Sequence, residues 1–226
     1  MDVLIFGATG MVGQGALREC LADPAVDRVV AIGRTVTGRR HPKLREIVHE
    51  NLFDYSSVQD ALTGFDACFF CLGVTSAGMT EAAYHHVTFD LTLAAARTLV
   101  RVNPLMTFIY VSGAGTDSTE SGRVMWARVK GKTENALLAL PFKSAFMLRP
   151  AMIQPLHGIT SKTRSYRMLY SATALFLPAL RALFPNYVTT TEQLGRVMIG
   201  LAKKGGDKAI LEARDINRLG AATAPS

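Results

Sequence analysis

The feature that most constrains this chain is a glycine triplet that directly follows its first apolar segment. Residues 2–6 have the composition of a buried β-strand, and Gly7, Gly10 and Gly13 follow at intervals of three residues. A helical pattern then runs to about residue 21 and ends at an Asp-Pro pair. Because glycine permits a tight turn and a close approach of helix to strand, the pattern predicts a strand–turn–helix unit of a parallel sheet.

A glycine-rich turn at this place is also typical of a dinucleotide-binding loop. The backbone can approach a pyrophosphate closely, and the anion then lies at the helix N-terminus, where unpaired N–H groups and the helix dipole favour it. The alternative is a structural turn without a ligand, but the strand before it and the helix after it favour the cofactor. We predict contacts to the cofactor from Gly7, Thr9, Gly10, Met11, Val12 and Gly13.

Short apolar segments alternate with helical patterns through the first 150 residues, as in βαβ units. We predict an α/β fold, a doubly wound parallel sheet (Rossmann fold) with a small C-terminal lobe. Residues 1–150 form the dinucleotide-binding core and residues 151–226 a substrate lobe packed on it, within one structural domain. The predicted strands are residues 2–6, 28–32, 45–49, 66–72, 106–111 and 144–148, and the predicted helices are residues 11–21, 57–62, 80–102 and 124–140.

The C-terminal lobe has two further patterns. Residues 189–192 read Thr-Thr-Thr-Glu, a capping-box pattern that predicts a helix to about residue 203, and residues 209–211 read as a last short strand. Residues 168–180 carry no charge, but at about 1.5 Å per residue they are too short to cross a bilayer. We expect this stretch to cover the substrate cleft or a subunit contact. The alternative is a helix in a membrane interface, with basic neighbours at Lys162, Arg164, Arg167 and Arg181.

The net charge of +7 is unevenly distributed over the 226 residues. Residues 1–140 hold 13 Lys and Arg against 14 Asp and Glu, whereas residues 141–226 hold 12 against 4. The basic residues are spread singly and no nucleic-acid-binding motif accompanies them, so we expect no nucleic acid as partner. The excess suggests an anionic or partly apolar small-molecule substrate, or an anionic surface, near the lobe.

The three cysteines are too few and too odd in number for a disulfide framework. Cys68 and Cys71 match C-x-x-C, but three residues apart on a predicted strand they point to opposite faces, and core packing is the better interpretation. No group of residues has metal-ligand spacing, so no metal is predicted. Nothing that reads as a signal peptide precedes the first strand, and we expect a reducing, cytoplasmic location.

The end of the second predicted strand discriminates between cofactors. An NAD enzyme has Asp or Glu there to accept from the ribose hydroxyls, whereas this chain has Gly33, Arg34 and Thr35. The guanidinium of Arg34 suits a 2′-phosphate, while Arg39 and Arg40 read equally well as a solvated loop. We predict NADP(H), with NAD(H) as the alternative.

With these elements in place, the chain resembles the short-chain dehydrogenase/reductase superfamily, and in particular its atypical, extended-like branch. That branch includes small NAD(P)-binding proteins similar to Tat-interacting tumour-suppressor oxidoreductases and epimerase-like proteins. The resemblance covers nearly the whole chain. The segments that carry it are residues 7–13, 33–34, 51–54, 71–75, 110–115, 129–131 and 148–150.

The resemblance implies further cofactor contacts. Asn51 and Leu52 match the pair that contacts adenine, and residues 72–74 match the segment that lines the cofactor ribose, namely Leu72, Gly73 and Val74. Lys130 matches the lysine of the Tyr-x-x-x-Lys pair, which holds the nicotinamide ribose and lowers the pKa of the tyrosine. Pro150 matches a segment near the nicotinamide.

Two positions depart from the catalytic pattern of that family. The tyrosine position holds Trp126, whose indole N–H donates a hydrogen bond but does not titrate, so it cannot be the general acid. The serine is displaced, because Ser112 falls one place early and Gly113 stands where the family has it. We keep Lys130, Ser112 and Trp126 as catalytic candidates and leave the proton donor unassigned.

Other polar residues are candidates for the reacting end of the cleft. Thr75 follows a predicted strand, Tyr84 lies on the long predicted helix, and His157 opens the lobe. Histidine is a common proton donor in enzymes, so His85 or His86 is a candidate, but two adjacent helix residues cannot both face inward.

Together these patterns favour an NADP(H)-dependent oxidoreductase of the atypical short-chain type, acting on a small molecule. A cofactor-binding sensor that has lost catalysis, or a membrane-peripheral protein, remain alternatives. The oligomeric state is left open.

Overall fold

In the described residues, the main sheet has seven strands, all parallel, which lie side by side in the order 44–48, 28–33, 2–6, 67–70, 107–111, 144–149 and 210–212. The structure is a computed structural model that describes residues 1–159 and 186–222. The strands of the sheet are β1 (Asp2–Phe6), β2 (Arg28–Gly33), β3 (Leu44–Val48), β4 (Ala67–Phe70), β5 (Thr107–Val111), β6 (Ser144–Arg149) and β9 (Ile210–Glu212). The strand order reverses between β1 and β4, which confirms the doubly wound Rossmann fold.

Helices cover both faces of the sheet. They are α1 (Met11–Ala22), α2 (Glu81–His85), α3 (Leu91–Val102), α4 (Met125–Leu138), α5 (Thr191–Lys204) and α6 (Ala213–Ala222), with a 3₁₀ helix at Ser56–Leu62. Successive strand residues point to opposite faces, so Val3 and Ile5 pack in one core with α1 and α5. Leu4 and Phe6 pack in the other core, against α3 and α4. Burial on both faces explains why the central strands have no polar alternation.

The predicted elements that fall in the described residues agree with the structure within one or two residues, but two short strands, 152–154 and 188–190, were not predicted, and three other differences appear. The long helix predicted at residues 80–102 contains a π-helical turn, His86–Asp90, between α2 and α3. The capping box forms one residue later than predicted, because Thr190 rather than Thr189 accepts from the Gln193 backbone at 3.0 Å. Helix α6 was not predicted, although its apolar residues recur at helical spacing.

The C-terminal part of the chain joins the main core. Strand β9 pairs with β6 at the sheet edge, and α5 packs against α1. The helices approach closely because both carry glycine at the crossing: a methyl at Gly15 would lie 2.6 Å from the Thr191 carbonyl oxygen, and one at Gly195 would lie 2.8 Å from Cγ of Glu19. Among the described residues, β7 (Met152–Gln154) and β8 (Val188–Thr190) form a separate two-stranded parallel ladder.

The apolar stretch at residues 168–180 and its basic neighbours Lys162, Arg164, Arg167 and Arg181 lie outside the described residues. In the two described ranges, no helix combines the length and apolar character that crossing a membrane requires.

Candidate functional site

A cleft of about 1240 Å³ opens along the carboxyl ends of the strands, at the point where the strand order reverses. Ligands of doubly wound sheets bind at this point. Fourteen of the sixteen residues predicted from the sequence line it; Gly13 and Asn51 do not. The fourteen are Gly7, Thr9, Gly10, Met11, Val12, Arg34, Leu52, Leu72, Gly73, Val74, Ser112, Trp126, Lys130 and Pro150.

The glycine turn after β1 is built by close backbone contacts. Gly7 has a φ of +77°, and a Cβ there would lie 2.8 Å from the backbone of Cys71 and of Leu72, in the turn that follows β4. Gly13 lies behind the turn, where a Cβ would lie 2.1 Å from the Gly7 carbonyl oxygen. Gly13 therefore lets α1 begin against the end of β1, and it contributes to the cleft through this packing.

The N-terminus of α1 points its unpaired N–H groups at the cleft. Its N-cap is Gly10, which has no side chain to accept from the first turn, and that turn has no acidic residue. Most helices satisfy these donors with a side chain. Here backbone donors and the helix dipole are left for an anion, and they fit the pyrophosphate of a dinucleotide.

At the far end of the cleft, Arg34 follows β2 and is exposed. The loop after it is tied to β3, because the Thr37 backbone N–H donates to the Glu46 carboxylate at 2.6 Å. Arg39 and Arg40 are exposed and do not line the cleft. Arg34 is therefore the arginine among these three that lines the cleft.

The neighbouring wall is formed by the segment after β3. Leu52 is buried, and the Asn51 side chain accepts from the Phe53 backbone at 3.1 Å, which shapes the turn. The half-exposed Phe53 ring stacks on His86 with the ring centroids 4.4 Å apart. Leu52 and the Phe53 ring thus give this wall apolar side chains on which a planar base could stack, and no pattern in the sequence indicated the Phe53–His86 pair.

At the inner end of the cleft, α4 brings Trp126 and Lys130 to the ends of β5 and β6. The Lys130 ammonium donates to the Ser112 carbonyl oxygen at 2.8 Å and lies 5.9 Å from the centre of the Tyr110 ring. Helix α4 packs this closely because Gly131 meets the loop after β5, where a methyl would lie 1.7 Å from the Asp117 carbonyl oxygen. Trp126 lies one turn before Lys130 and faces Gly115.

The Ser112 hydroxyl is directed into the protein interior. It donates to the carboxylate of Glu134 and lies 3.2 Å from the Leu148 carbonyl oxygen. Glu134 is completely buried and is held from the other side by the Arg149 guanidinium, which also binds Glu212 at 2.9 Å. Sequence reasoning missed both residues, although Arg149 lies in a segment that carries the family resemblance.

Burial governs the protonation of Lys130. Removal from water lowers the pKa of the ammonium from 10.5 to about 8, and the negative charge of Glu134 opposes this shift. At neutral pH Lys130 therefore remains protonated, but it loses its proton far more readily than a surface lysine.

Of the other polar candidates, some line the cleft and the three histidines do not. Thr75 and the buried Tyr84 line the cleft. His85 and His86 both face Asp90, at 3.5 and 3.0 Å, and His157 pairs with Glu192 at 2.6 Å outside the cleft lining.

The cysteines are free thiols. Cys20 and Cys68 are buried, while Cys71 lines the cleft, and burial raises the pKa of the Cys71 thiol to about 12. Within the part of the chain that the structure describes, no group of three or more His, Cys, Asp or Glu side chains could hold a metal ion.

Comparison with known proteins agrees with this geometry. Residues 3–120 match the sequence model of the NAD dependent epimerase/dehydratase family. "Protein fmp52, mitochondrial" of Emericella nidulans is 31% identical over 162 residues, which is 67% of this chain and 66% of that protein. "Protein FMP52, mitochondrial" of Eremothecium gossypii is 27% identical over 209 residues, which is 89% of this chain and 88% of that protein.

Solved structures share the fold at low sequence identity. An oxidoreductase of the short chain dehydrogenase/reductase family from Burkholderia thailandensis has a TM-score of 0.65 and 17% identity, covering 95% of this chain and 91% of that one. The Bordetella bronchiseptica enzyme WbmF, solved in complex with NAD⁺, has a TM-score of 0.66 and 14% identity, covering 98% of this chain and 78% of that one. These likenesses confirm the fold that the sequence resemblance implied.

The relatives contradict one expectation. A cytoplasmic location was expected from the unpaired cysteines, but the Fmp52 relatives are named as mitochondrial proteins. The expectation is wrong because free thiols report on redox conditions and do not identify a compartment.

Proposed function

This chain belongs to the NAD dependent epimerase/dehydratase family, and from that premise we propose that it is an NADP(H)-dependent oxidoreductase for a small, partly apolar substrate. The observation that carries the proposal is one continuous cleft. The uncapped N-terminus of α1 and the Lys130 ammonium both open on it, which supports binding of a pyrophosphate by the first and of a ribose by the second.

When bound, the cofactor would supply or accept a hydride. The residues of the chain do the rest. Backbone N–H groups of the first turn of α1, at Met11 and Val12, bind the pyrophosphate, and the Lys130 ammonium donates to the ribose hydroxyls. The Trp126 N–H donates a hydrogen bond without transferring a proton. The reaction that fits such a site is reduction of an activated acceptor, such as a quinone or a conjugated double bond, which needs little acid catalysis.

A titration with NADPH tests this function directly. Trp126 is the single tryptophan of the chain and lines the cleft, so its emission reports on a reduced nicotinamide bound beside it. We expect energy transfer from Trp126 to bound NADPH, and loss of NADPH absorbance with at least one acceptor from a panel of ketones, quinones and activated alkenes. Absence of both signals would refute the proposal.

The preference for NADP(H) rests on Arg34 and on the lack of an acid at the end of β2. We expect Arg34→Ala to weaken NADPH binding by about tenfold, the size of one charge-assisted contact, and to leave NADH binding unchanged. Arg39→Ala removes an exposed cation of the same loop outside the cleft and serves as the matched control. Equal binding of both cofactors to the unaltered protein would overturn the preference.

Trp126 supports a second candidate, a cofactor-binding sensor without turnover. If the cleft only binds, Trp126→Tyr creates carbonyl reductase activity where the parent has none, because a tyrosine four residues before Lys130 restores the acid. Since this variant lacks tryptophan, its NADPH binding is measured by calorimetry. Turnover of any acceptor by the parent protein excludes the sensor.

A further inference from the structure

Beneath the inner end of the cleft lies a chain of buried polar contacts that the proposed function does not use. It begins at Ser112, passes through Glu134 to Arg149, and ends at the half-exposed Glu212 and at Ser118. Burying an ion pair is costly, and replacing such a pair by apolar residues often leaves stability unchanged or improved. Stability alone therefore does not account for this buried ion pair.

Glu134 lies four residues after Lys130, on the next turn of α4, and both side chains end on Ser112. The Glu134 carboxylate accepts a hydrogen bond from the Ser112 hydroxyl, and the Ser112 carbonyl oxygen accepts one from the Lys130 ammonium at 2.8 Å. The Ser112 backbone N–H is tied as well, to the Leu148 carbonyl oxygen at 2.9 Å. Ser112 thus has its N–H, its hydroxyl and its carbonyl engaged at once.

The charges of the buried group also link it to Lys130. Arg149 faces two carboxylates, Glu134 and Glu212, so the group beneath the cleft carries one excess negative charge when all three are ionised. The charged side chain of the cleft lining that faces this group is Lys130, and the ring of Tyr110 is its neutral neighbour on β5. A buried ammonium keeps its proton near neutral pH only with such compensation.

We propose that Glu134 is a positioning residue: through Ser112 it fixes the strand end on which Lys130 rests, and its charge keeps Lys130 protonated toward the nicotinamide ribose. Because the Ser112 hydroxyl donates its hydrogen bond to Glu134, the serine donates no hydrogen bond to a substrate. This inference rests on the proposed function for the identity of the ligand, but the link between Glu134 and Lys130 does not depend on any cofactor.

Two glutamine variants separate this role from a merely structural one. Glu134→Gln and Glu212→Gln each remove one carboxylate from Arg149, but of these two glutamates it is Glu134 that accepts a hydrogen bond from Ser112. The pKa of Lys130 is measured by NMR titration of the side-chain carbons in ¹³C-lysine-labelled protein without cofactor. The resonance is assigned by its loss in Lys130→Arg.

In Glu134→Gln we expect the pKa of Lys130 to fall by about 0.5–1 unit, as the loss of a nearby opposite charge requires. We expect NADPH binding, read from Trp126 emission at pH 7.5, to weaken about three- to tenfold with the loss of the fixed ammonium. Glu212→Gln should match the unaltered protein in both. Equal effects of the two variants, or an unchanged pKa in Glu134→Gln, would overturn the proposal.

A second variant covers the case in which Glu134→Gln does not fold. Ser112→Ala breaks the link from the other end and leaves the Glu134–Arg149 pair intact. It should weaken NADPH binding by a similar factor, and unchanged binding would refute the positioning role. Failure of the unaltered protein to bind NADPH refutes the proposed function alone, because the pKa comparison in cofactor-free protein still tests Glu134.

Discussion

Gly13 offers the sharpest test of how the cleft is built, because it shapes the cofactor site without lining it. A methyl group at this position would lie 2.1 Å from the carbonyl oxygen and 2.6 Å from the carbonyl carbon of Gly7. Since both are backbone atoms, no side chain can rotate away. To regain an ordinary contact, the start of α1 must move about 1 Å from the turn after β1.

The cost of Gly13→Ala can be estimated from this geometry. Overpacking of this kind lowers the free energy of unfolding by about 1–3 kcal/mol, while the change from glycine to alanine within a helix raises it by about 1 kcal/mol. The net loss of unfolding free energy is therefore small. The displacement falls on the N–H groups that bind the pyrophosphate, however, so we expect NADPH affinity to drop by about 10- to 100-fold.

The matched control lies two residues along the same helix. Gly15→Ala makes a comparable clash, 2.6 Å from the Thr191 carbonyl oxygen, but on the side of α1 that packs against α5. It should lower the free energy of unfolding in urea and leave NADPH affinity within about threefold of the unaltered protein. The reasoning fails if Gly13→Ala binds NADPH normally, or if Gly15→Ala loses as much affinity.

Lys130, Asn103 and Thr190 each give a further testable outcome. Because the pKa of Lys130 is lowered to about 8, its positive charge is lost as the pH rises through that value. NADPH affinity should therefore fall about fivefold between pH 7 and pH 9. The Lys130→Met variant should bind NADPH weakly and without this pH dependence. Asn103→Ala removes a buried amide that accepts from the backbone of Gly64 and Phe65 at 2.7 and 2.9 Å, and should cost about 2–4 kcal/mol in urea unfolding without changing NADPH affinity. Thr190→Ala removes the capping box of α5 and should cost about 1 kcal/mol in the same assay.

The sequence was sufficient for the sheet and for the outer part of the cleft because both depend on local pattern. Continuous apolar segments are typical of strands buried on both faces, and each of the six strands predicted before residue 150 forms. The glycine turn is equally local, since Gly7 needs a positive φ and Gly13 needs space against a backbone six residues away.

The inner end of the cleft could not be predicted in the same way. The contact between Ser112 and Glu134 spans 22 residues, and the one between Arg149 and Glu212 spans 63. No spacing along the chain signals such pairs, because they depend on the packing of α4 against β5 and β6. The π-helical turn at His86–Asp90 is a similar case, since its residues fit a regular helical pattern.

The two ends of the cleft differ in how far substitution of side chains would alter them. The glycine turn binds through backbone atoms, so its function survives most changes of neighbouring side chains. The inner end presents side chains: the Lys130 ammonium donates to the Ser112 carbonyl oxygen, the Ser112 hydroxyl donates to Glu134, and Trp126 stands where the family resemblance implies a tyrosine. The Trp126 indole offers no titrating proton, whereas the contacts that support Lys130 are in place. Binding of the cofactor and transfer of a proton are therefore separable in this cleft, and a single substitution at Trp126 is expected to alter the second while leaving the first.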